Sequence, residues 1–161
     1  MEPNPCSGAF DVAFLVQTSK RANNEIDFQK ERNALSEIAG RFNLGPNKVH
    51  VAHLYYGKKT RRVSTFSPKD QMLSSVLIRR SQSLPYIPYS LAPIGNAFAD
   101  ANKVIFNIRR DKELSVPRVA VLINESPSHN VAESLAQANL LKQQNIEIFT
   151  IGKLSVKLVF N

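Results

Sequence analysis

The sequence predicts an α/β fold, in which a doubly wound, mostly parallel sheet carries one antiparallel edge hairpin and has helices on both faces. Short apolar runs such as "DVAFLV" at 11–16 and "RVAVLINES" at 118–126 alternate along the chain with helical patterns. Runs without a polar side are typical of strands that are buried on both faces. The turn "GKKT" at 57–60 leads into the second strand of a hairpin, which adds one antiparallel edge strand.

The first half of the chain reads as strand, helix and hairpin. After "DVAFLV", Asn23 or Asn24 can cap a helix over 25–42, where apolar residues recur at helical spacing until "NLGPN" ends it. The β-rich segment "KVHVAHLYY" at 48–56 predicts a strand, and "RRVSTFS" at 61–67 predicts its hairpin partner.

The second half adds three helices and two strands. Helical patterns and buried apolar runs follow one another, and the complete order is β-α-β-β-α-α-β-α-β. The expected elements are helices at 69–81, 94–107 and 130–145, and strands at 118–126 and 146–152. A Pro-rich loop, "QSLPYIPYSLAP", separates the first two of these helices.

Length and composition bound the protein to one globular domain. The 161 residues fit a single domain over 10–161, preceded by a tail or linker at 1–9. The apolar fraction of 43% is ordinary, and the longest apolar runs are too short to span a bilayer, so no membrane insertion is expected. A single Cys6 builds neither an internal disulfide nor a zinc site; it is either an idle thiol or half of a bridge whose partner lies outside these 161 residues.

The sequence offers no support for catalysis and indicates no cofactor. There is no credible Ser-His-Asp arrangement, no Gly-rich phosphate loop and no carboxylate pair in the expected cleft, so we predict that the protein is not an enzyme. His50 and His53 stand three residues apart in one predicted strand and therefore face opposite sides of the sheet, which favours structural roles over joint metal binding.

Several segments together resemble the von Willebrand factor A domain. These are "DVAFLVQTSKRA", "VAVLINESPS", "IEIFTIG" and, especially similar to the A domains of collagen VI, matrilins and related matrix proteins, "LSEIAGRFNLGPNKVHVAHLYYGKK". The resemblance covers roughly residues 10–153. It implies a secreted protein of the extracellular matrix, with functional loops at the carboxyl ends of the parallel strands, where α/β folds generally bind ligands.

The same resemblance implies a metal-ion-dependent adhesion site whose residues are largely replaced in this chain. In the family the first loop supplies an Asp and two Ser, the second a Thr and the third an Asp. The corresponding positions are Gln17, Ser19, Arg21, Ala92 and Asn124, of which Ser19 alone keeps the family residue. Mg²⁺ needs hard oxygen ligands and usually a carboxylate, so we expect no divalent metal here. The alternative is a misaligned loop and a working metal site.

Basic residues are expected to gather at the edge of the sheet where the parallel strands end, here called the carboxyl edge. The chain carries 21 Lys and Arg against 13 Asp and Glu, a net charge of +8, which suggests an anionic partner or serves solubility alone. The candidate anion-binding residues are Lys20, Arg21, Lys58, Lys59, Arg61, Arg62, Arg79 and Arg80, with Lys153 beyond the last strand. Few acids are expected to compete at this edge: Glu125 and Asp70 are the nearest candidates, and Asp70 starts its helix at the opposite end. Alternatively, the hairpin cations guard an edge strand against aggregation.

The sequence after "IEIFTIG" is shorter than the family pattern. In "KLSVKLVFN" the apolar residues alternate at Leu154, Val156, Leu158 and Phe160, and there is no room for the crossover of about a dozen residues that a parallel sixth strand needs. The domain is therefore expected to be C-terminally shortened. The segment either extends the last strand, turns back antiparallel, or pairs with a second molecule to form a homodimer through this edge.

The sequence hypothesis is thus a noncatalytic interaction domain of the extracellular matrix. It would bind a matrix protein or a glycosaminoglycan without divalent metal, and no nucleic acid is expected as a partner. Two alternatives stay open: a structural spacer whose charge only maintains solubility, and a metal-dependent adhesion domain if the loops are misaligned.

Overall fold

The computed structural model describes residues 8–18, 25–67, 74–87, 92–108 and 116–152. Within these ranges the elements follow the order that the sequence predicts. The strands are β1 (Asp11–Gln17), β2 (His50–Tyr56), β3 (Thr60–Ser64), β4 (Arg118–Asn124) and β5 (Ile146–Gly152). The helices are α1 (Glu25–Gly40), α2 (Ser74–Gln82), α3 (Ile94–Ala101) and α4 (Val131–Lys142).

The described strands form one five-stranded sheet in the order β3-β2-β1-β4-β5. β1 pairs in parallel with both β2 and β4, and β5 pairs in parallel with β4. β3 is antiparallel to β2, with a register irregularity between His53 and Leu54. The doubly wound sheet with one antiparallel edge hairpin is therefore confirmed, and the chain reverses its direction of winding at β1, where α/β folds open a crevice.

Two apolar clusters cover the two faces of the sheet. On one face, α1 and the α2 region contribute Phe28, Leu35 and Leu77 against alternate residues of β1 and β2. On the other, α3 and α4 contribute Phe98, Leu141 and their neighbours. All seven residues of β1 are buried, which explains why its sequence shows no polar side.

The helix covering the second face departs from regular geometry at its end. The helix expected over 94–107 is an α-helix to Ala101, followed by a π-helical turn at Asn102–Phe106 that keeps Ile105 and Phe106 buried. Near its start, Gly95 lies against α4, where a Cβ would stand 2.7 Å from Cγ of Glu133. Gly95 thus allows α3 and α4 to approach closely.

Some sequence predictions fall outside the described residues. Among them are Cys6, the position Ser19, the cations Lys20, Arg21 and Lys153, the cap candidates Asn23 and Asn24, the helical stretch at 69–73, and the alternating segment at 154–160. Among the described helices, none combines the length and apolar character that a membrane crossing requires.

His53 holds the hairpin and α2 together from inside the core. Its ring is 1% exposed and stacks against Phe14, with ring centroids 5.7 Å apart. Its Nε2 lies 3.1 Å from Oγ of Ser81 on α2, and its Nδ1 lies 3.4 Å from Oγ of Ser64 on β3. His50, on the opposite face, places Nε2 3.1 Å from the carbonyl oxygen of Gly45. Both histidines are built into the fold, as the sequence predicts.

The buried His53 makes stability depend on pH. Burial, and secondarily the positive charge of Arg80, lowers the pKa of His53 from 6.5 to about 4. Between these values the unfolded chain binds a proton that the folded chain excludes, so stability is fully present above the unfolded pKa and falls as pH drops toward the folded pKa. We expect the free energy of unfolding to fall by about 2 kcal/mol between pH 7 and pH 5 through this group.

Urea unfolding at the two pH values tests this expectation. His53→Gln should lose most of the pH dependence, whereas the control His129→Gln, which removes an exposed histidine, should keep it. An equal pH dependence in His53→Gln and the wild type would contradict the assignment.

Candidate functional site

Three loops meet at the carboxyl edge, as the sequence predicts for an α/β fold. Gln17 ends β1 and Asn124 ends β4, while Ala92 stands just before α3. The β4–α4 loop contacts both of the other segments, because Gln17 bonds to Glu125 and Ser126, and His129 N donates to the carbonyl oxygen of Ala92 at 3.0 Å. The structure therefore brings these three predicted positions to one place.

Gln17 links the first and third loops through its side-chain amide. Its Oε1 accepts hydrogen bonds from the backbone N–H groups of Glu125 at 2.9 Å and Ser126 at 3.3 Å, and its Nε2 donates to Oγ of Ser126 at 3.3 Å. The residue is only 2% exposed. We call this set of bonds the Gln17 amide bridge. It provides an acceptor for two backbone N–H groups. Partly buried N–H groups without an acceptor would reduce the free energy of unfolding.

Asn124 reinforces the same loop from the end of β4. Its Nδ2 donates to the carbonyl oxygen of Ser126 at 3.0 Å, which fixes the turn that follows the strand. Gly152, paired with Asn124 across the sheet, comes so near that a Cβ would stand 2.7 Å from the Asn124 carbonyl oxygen. The amide of Asn124 is thus engaged in shaping the loop.

The floor of the site is built by residues that sequence reasoning missed. Thr18 donates from both its backbone N and its Oγ1 to the carbonyl oxygen of Tyr56, at 2.9 and 3.3 Å. The Tyr56 hydroxyl donates to the carbonyl oxygen of Ile123 at 3.3 Å, reaching across β1 to β4. Burial, with a smaller contribution from Glu31, raises the pKa of Tyr56 well above 10, so the phenol stays protonated and donates. Its position at the end of a predicted strand was the feature of the sequence that could have placed Tyr56 at this site.

The hairpin cations form an exposed group around the sheet edge. We call Lys58, Lys59, Arg61 and Arg62 the basic band; all four are exposed. In the β2–β3 register Arg61 pairs with Tyr55 and Arg62 with Leu54, so the two guanidinium groups belong to opposite faces of the edge strand. The band therefore wraps the edge instead of covering one flat surface.

Arg79 and Arg80 lie farther from the carboxyl edge than the sequence suggests. The neighbouring Ser81 contacts His53, three residues before the end of β2, which is about 10 Å below the hairpin at ~3.3 Å per residue. They stand on the α1–α2 face. The structure thus separates them from the part of the basic band at the hairpin tip.

The expectation that few acids stand at the carboxyl edge is wrong. Thr60 Oγ1 donates to the carboxylate of Asp100 on α3, beside a shallow cleft of about 350 Å³ that Lys58 and Lys59 also line. On the other side of the edge, Asp27 and Glu31 of α1 line a second cleft together with Glu125. Helices that follow parallel strands begin at this edge, and acidic residues stabilise helix N-termini. This explains why acidic residues stand near the start of α1.

Comparison with known sequences identifies the family. The sequence profile of the von Willebrand factor type A domain matches residues 11–158. The chain belongs to this family. It is 28% identical over 157 residues to human Matrilin-4, an alignment that covers 93% of this chain and 24% of that protein. The domain thus spans about a quarter of the length of that relative.

Solved structures share the fold of this chain. Proximal thread matrix protein 1 from the mussel byssus, solved with zinc in its MIDAS motif, superposes with a TM-score of 0.80 at 21% identity, covering 93% of this chain and 37% of that one. Manganese-loaded Plasmodium vivax TRAP superposes with a TM-score of 0.76 at 20% identity, covering 90% of this chain and 57% of that one. At such identity the likeness concerns the fold alone.

The described side chains at the loop convergence do not fit a divalent cation. Gln17 and Asn124 are neutral, and the Gln17 oxygen already accepts two backbone hydrogen bonds. Ala92 has no side-chain oxygen to offer. Over the described ranges, no group of three or more His, Cys, Asp or Glu is arranged to hold a metal. Mg²⁺ usually requires at least one carboxylate beside its other hard oxygen ligands, and these residues supply only neutral amide oxygens.

The Gln17 amide bridge should stabilise the β4–α4 loop measurably. Gln17→Ala leaves the N–H groups of Glu125 and Ser126 without this acceptor, so we expect a loss of about 1–3 kcal/mol in the free energy of unfolding. Amide hydrogen exchange at both positions should accelerate. Chemical denaturation and exchange measured by NMR provide the readouts.

The matched control is Gln29→Ala, which removes an exposed glutamine from α1 and should change stability by about 0.5 kcal/mol or less. If the two variants lose the same stability and exchange at Glu125 is unchanged, the amide bridge has no structural role.

Proposed function

We propose that this domain is a noncatalytic, extracellular matrix interaction module that binds a polyanionic or protein partner without divalent metal. The family membership and the relationship to Matrilin-4 and a byssal matrix protein support a matrix setting and secretion. The sequence positions at the carboxyl edge support the metal-free part of the proposal, and the basic band supports the choice of partner.

The observation that carries the proposal is the Gln17 amide bridge. Two loops that a metal ion could hold together are instead joined by hydrogen bonds of a neutral amide. Such bonds are formed within the protein, so the arrangement of the loops needs no ion. With carboxylates absent from positions 17 and 124, these two positions offer a dication no charged ligand. The basic band supplies exposed positive charge on the hairpin side of the same edge.

The basic band supports a sulfated or carboxylated polymer as the partner. Its four cations are exposed within one short hairpin, and Arg offers bidentate hydrogen bonds to sulfate or carboxylate groups. Exposed charges are screened beyond about 8 Å at physiological ionic strength, so cations must be clustered to act together. A chain-like ligand can follow the edge strand and contact both faces.

Metal independence can be tested by calorimetric titration. Adding Mg²⁺ or Mn²⁺ to the domain should give no stoichiometric binding, because positions 17, 92 and 124 carry no carboxylate. A double variant, Gln17→Asp with Asn124→Asp, restores two carboxylates and should bind Mn²⁺ measurably more tightly than the wild type. Tight stoichiometric binding to wild-type loops would contradict the proposal.

Polyanion binding can be tested on a heparin column with a salt gradient. The wild type should be retained at low salt, and a variant with Lys58, Lys59, Arg61 and Arg62 changed to Ala should elute much earlier. Four exposed contacts at ~0.5 kcal/mol each amount to a loss of about 2 kcal/mol, or more than tenfold in affinity.

A control variant separates the site from net charge. Changing Arg41, Lys48, Lys103 and Lys142 to Ala also removes four positive charges, but from positions toward the opposite end of the strands and helices. Its elution should shift much less. Equal shifts in both variants would mean that net charge alone explains retention. A wild type that is not retained at low salt would favour the spacer function instead.

A further inference from the structure

One face of the last described strand is apolar and exposed. Phe149 is 55% and Ile151 is 51% exposed, although both belong to a strand of the central sheet. They pair with Val121 and Ile123 of β4, which belong to the cluster on the α1 face. Alternating strand residues share a face, so these four side chains form one apolar surface beside α1.

A cleft of about 510 Å³ lies between this surface and α1. Leu35 and Ile38 of α1 line one side, and Ile123 and Ile151 line the other. The cleft also has an acidic part. Three acids, Asp27, Glu31 and Glu125, and one cation, Lys30, contribute to its lining. An occupant of this cleft should therefore combine alternating apolar side chains with positive charge.

We propose that residues 154–160 of the same chain fold back over β5 and occupy this cleft. The segment starts two residues after Gly152, which itself lines the cleft. Leu154, Val156, Leu158 and Phe160 recur at every second position, so an extended conformation places them on one side. Seven extended residues span about 23 Å, the same length as the seven-residue strand that they would cover.

Charge and tethering favour this segment over a second molecule. Lys153 and Lys157 supply two positive charges near a lining with three acids and one cation. Their long side chains can lie along apolar surface while the ammonium groups reach the acidic rim. A segment attached at the cleft also has an effective concentration of order millimolar, which a second copy reaches only in concentrated solution.

Chemical cross-linking in the full chain tests the proposal. In a Cys6→Ser background, Ile38→Cys places a thiol at the cleft and Leu158→Cys places one in the segment. A short bismaleimide applied to dilute protein should join the two thiols within one molecule, as identified by mass spectrometry of the linked peptides. The control pairs Leu158→Cys with Leu140→Cys, which replaces a residue 44% exposed on α4, across the sheet.

We expect the cleft pair to cross-link within the monomer at least about fivefold faster than the control pair, because docking raises the local concentration of one thiol near the other. Equal rates would overturn the proposal. Faster formation of covalent dimers by the cleft pair, increasing with protein concentration, would show that a second copy is the occupant and would equally overturn it.

A second measurement does not require engineered thiols. Val156→Lys with Leu158→Lys should release the segment, so binding of an apolar-surface dye should rise severalfold and amide exchange in β5 should accelerate. The matched control Ser155→Lys with Asn161→Lys adds the same charge at positions that face away from the apolar side. If dye binding and β5 exchange are the same in both double variants, the segment does not cover this face.

Discussion

The burial of β1 on both faces and its pairing on both edges is the constraint on which the rest of the structure depends. β1 pairs with β2 on one edge and β4 on the other, and all seven of its residues are buried. The helices must then cover the sheet from two sides, and the chain must wind outward in both directions. Both windings leave their loops at the same end of β1, so the fold itself creates the convergence of the functional loops.

At that convergence the protein joins its loops by neutral hydrogen bonds. An amide such as that of Gln17 can accept from backbone N–H groups and donate to a hydroxyl at the same time, whereas a carboxylate can only accept. The loops are consequently held by directional bonds of moderate strength. A metal ion would instead attract the negatively charged groups of a ligand. Under the proposed function, this edge would recognise a different class of ligand on the same fold.

The two sides of the carboxyl edge differ in charge. The hairpin side carries the basic band with one acid, Asp100, beside it, while the side between α1 and β5 carries Asp27, Glu31 and Glu125 with one cation, Lys30. The division follows from the topology, because the hairpin lies at one margin of the sheet and β5 at the other. At physiological ionic strength screening acts over about 8 Å, so the two sides can bind different charges independently. The proposed polyanion and the basic C-terminal segment thus use opposite sides of one edge.

Much of this fold could be predicted from local pattern. Apolar runs identified β1 and β4, because a strand buried on both faces needs apolar residues throughout. Helical spacing identified α1 and α4, because a helix buried on one side needs apolar residues on that side alone. The expectation that Gln17 and Asn124 stand at acidic positions of the family came from the resemblance and stays a prediction. The charge count alone suggested either an anionic partner or solubility, and it did not locate a binding site.

The tertiary structure decided what these residues contact. No sequence pattern predicts that Gln17 bonds to Ser126, 109 residues away, or that Tyr56 bonds to Ile123 across an intervening strand. Helix packing also decided how far Arg79 and Arg80 lie from the carboxyl edge. It likewise decided which acids stand beside the hairpin and α1. Sequence determined which segments are buried, since burial depends on the composition of each segment. Only the folded chain decided which polar groups meet, because their distances are fixed by the packing of elements far apart in sequence.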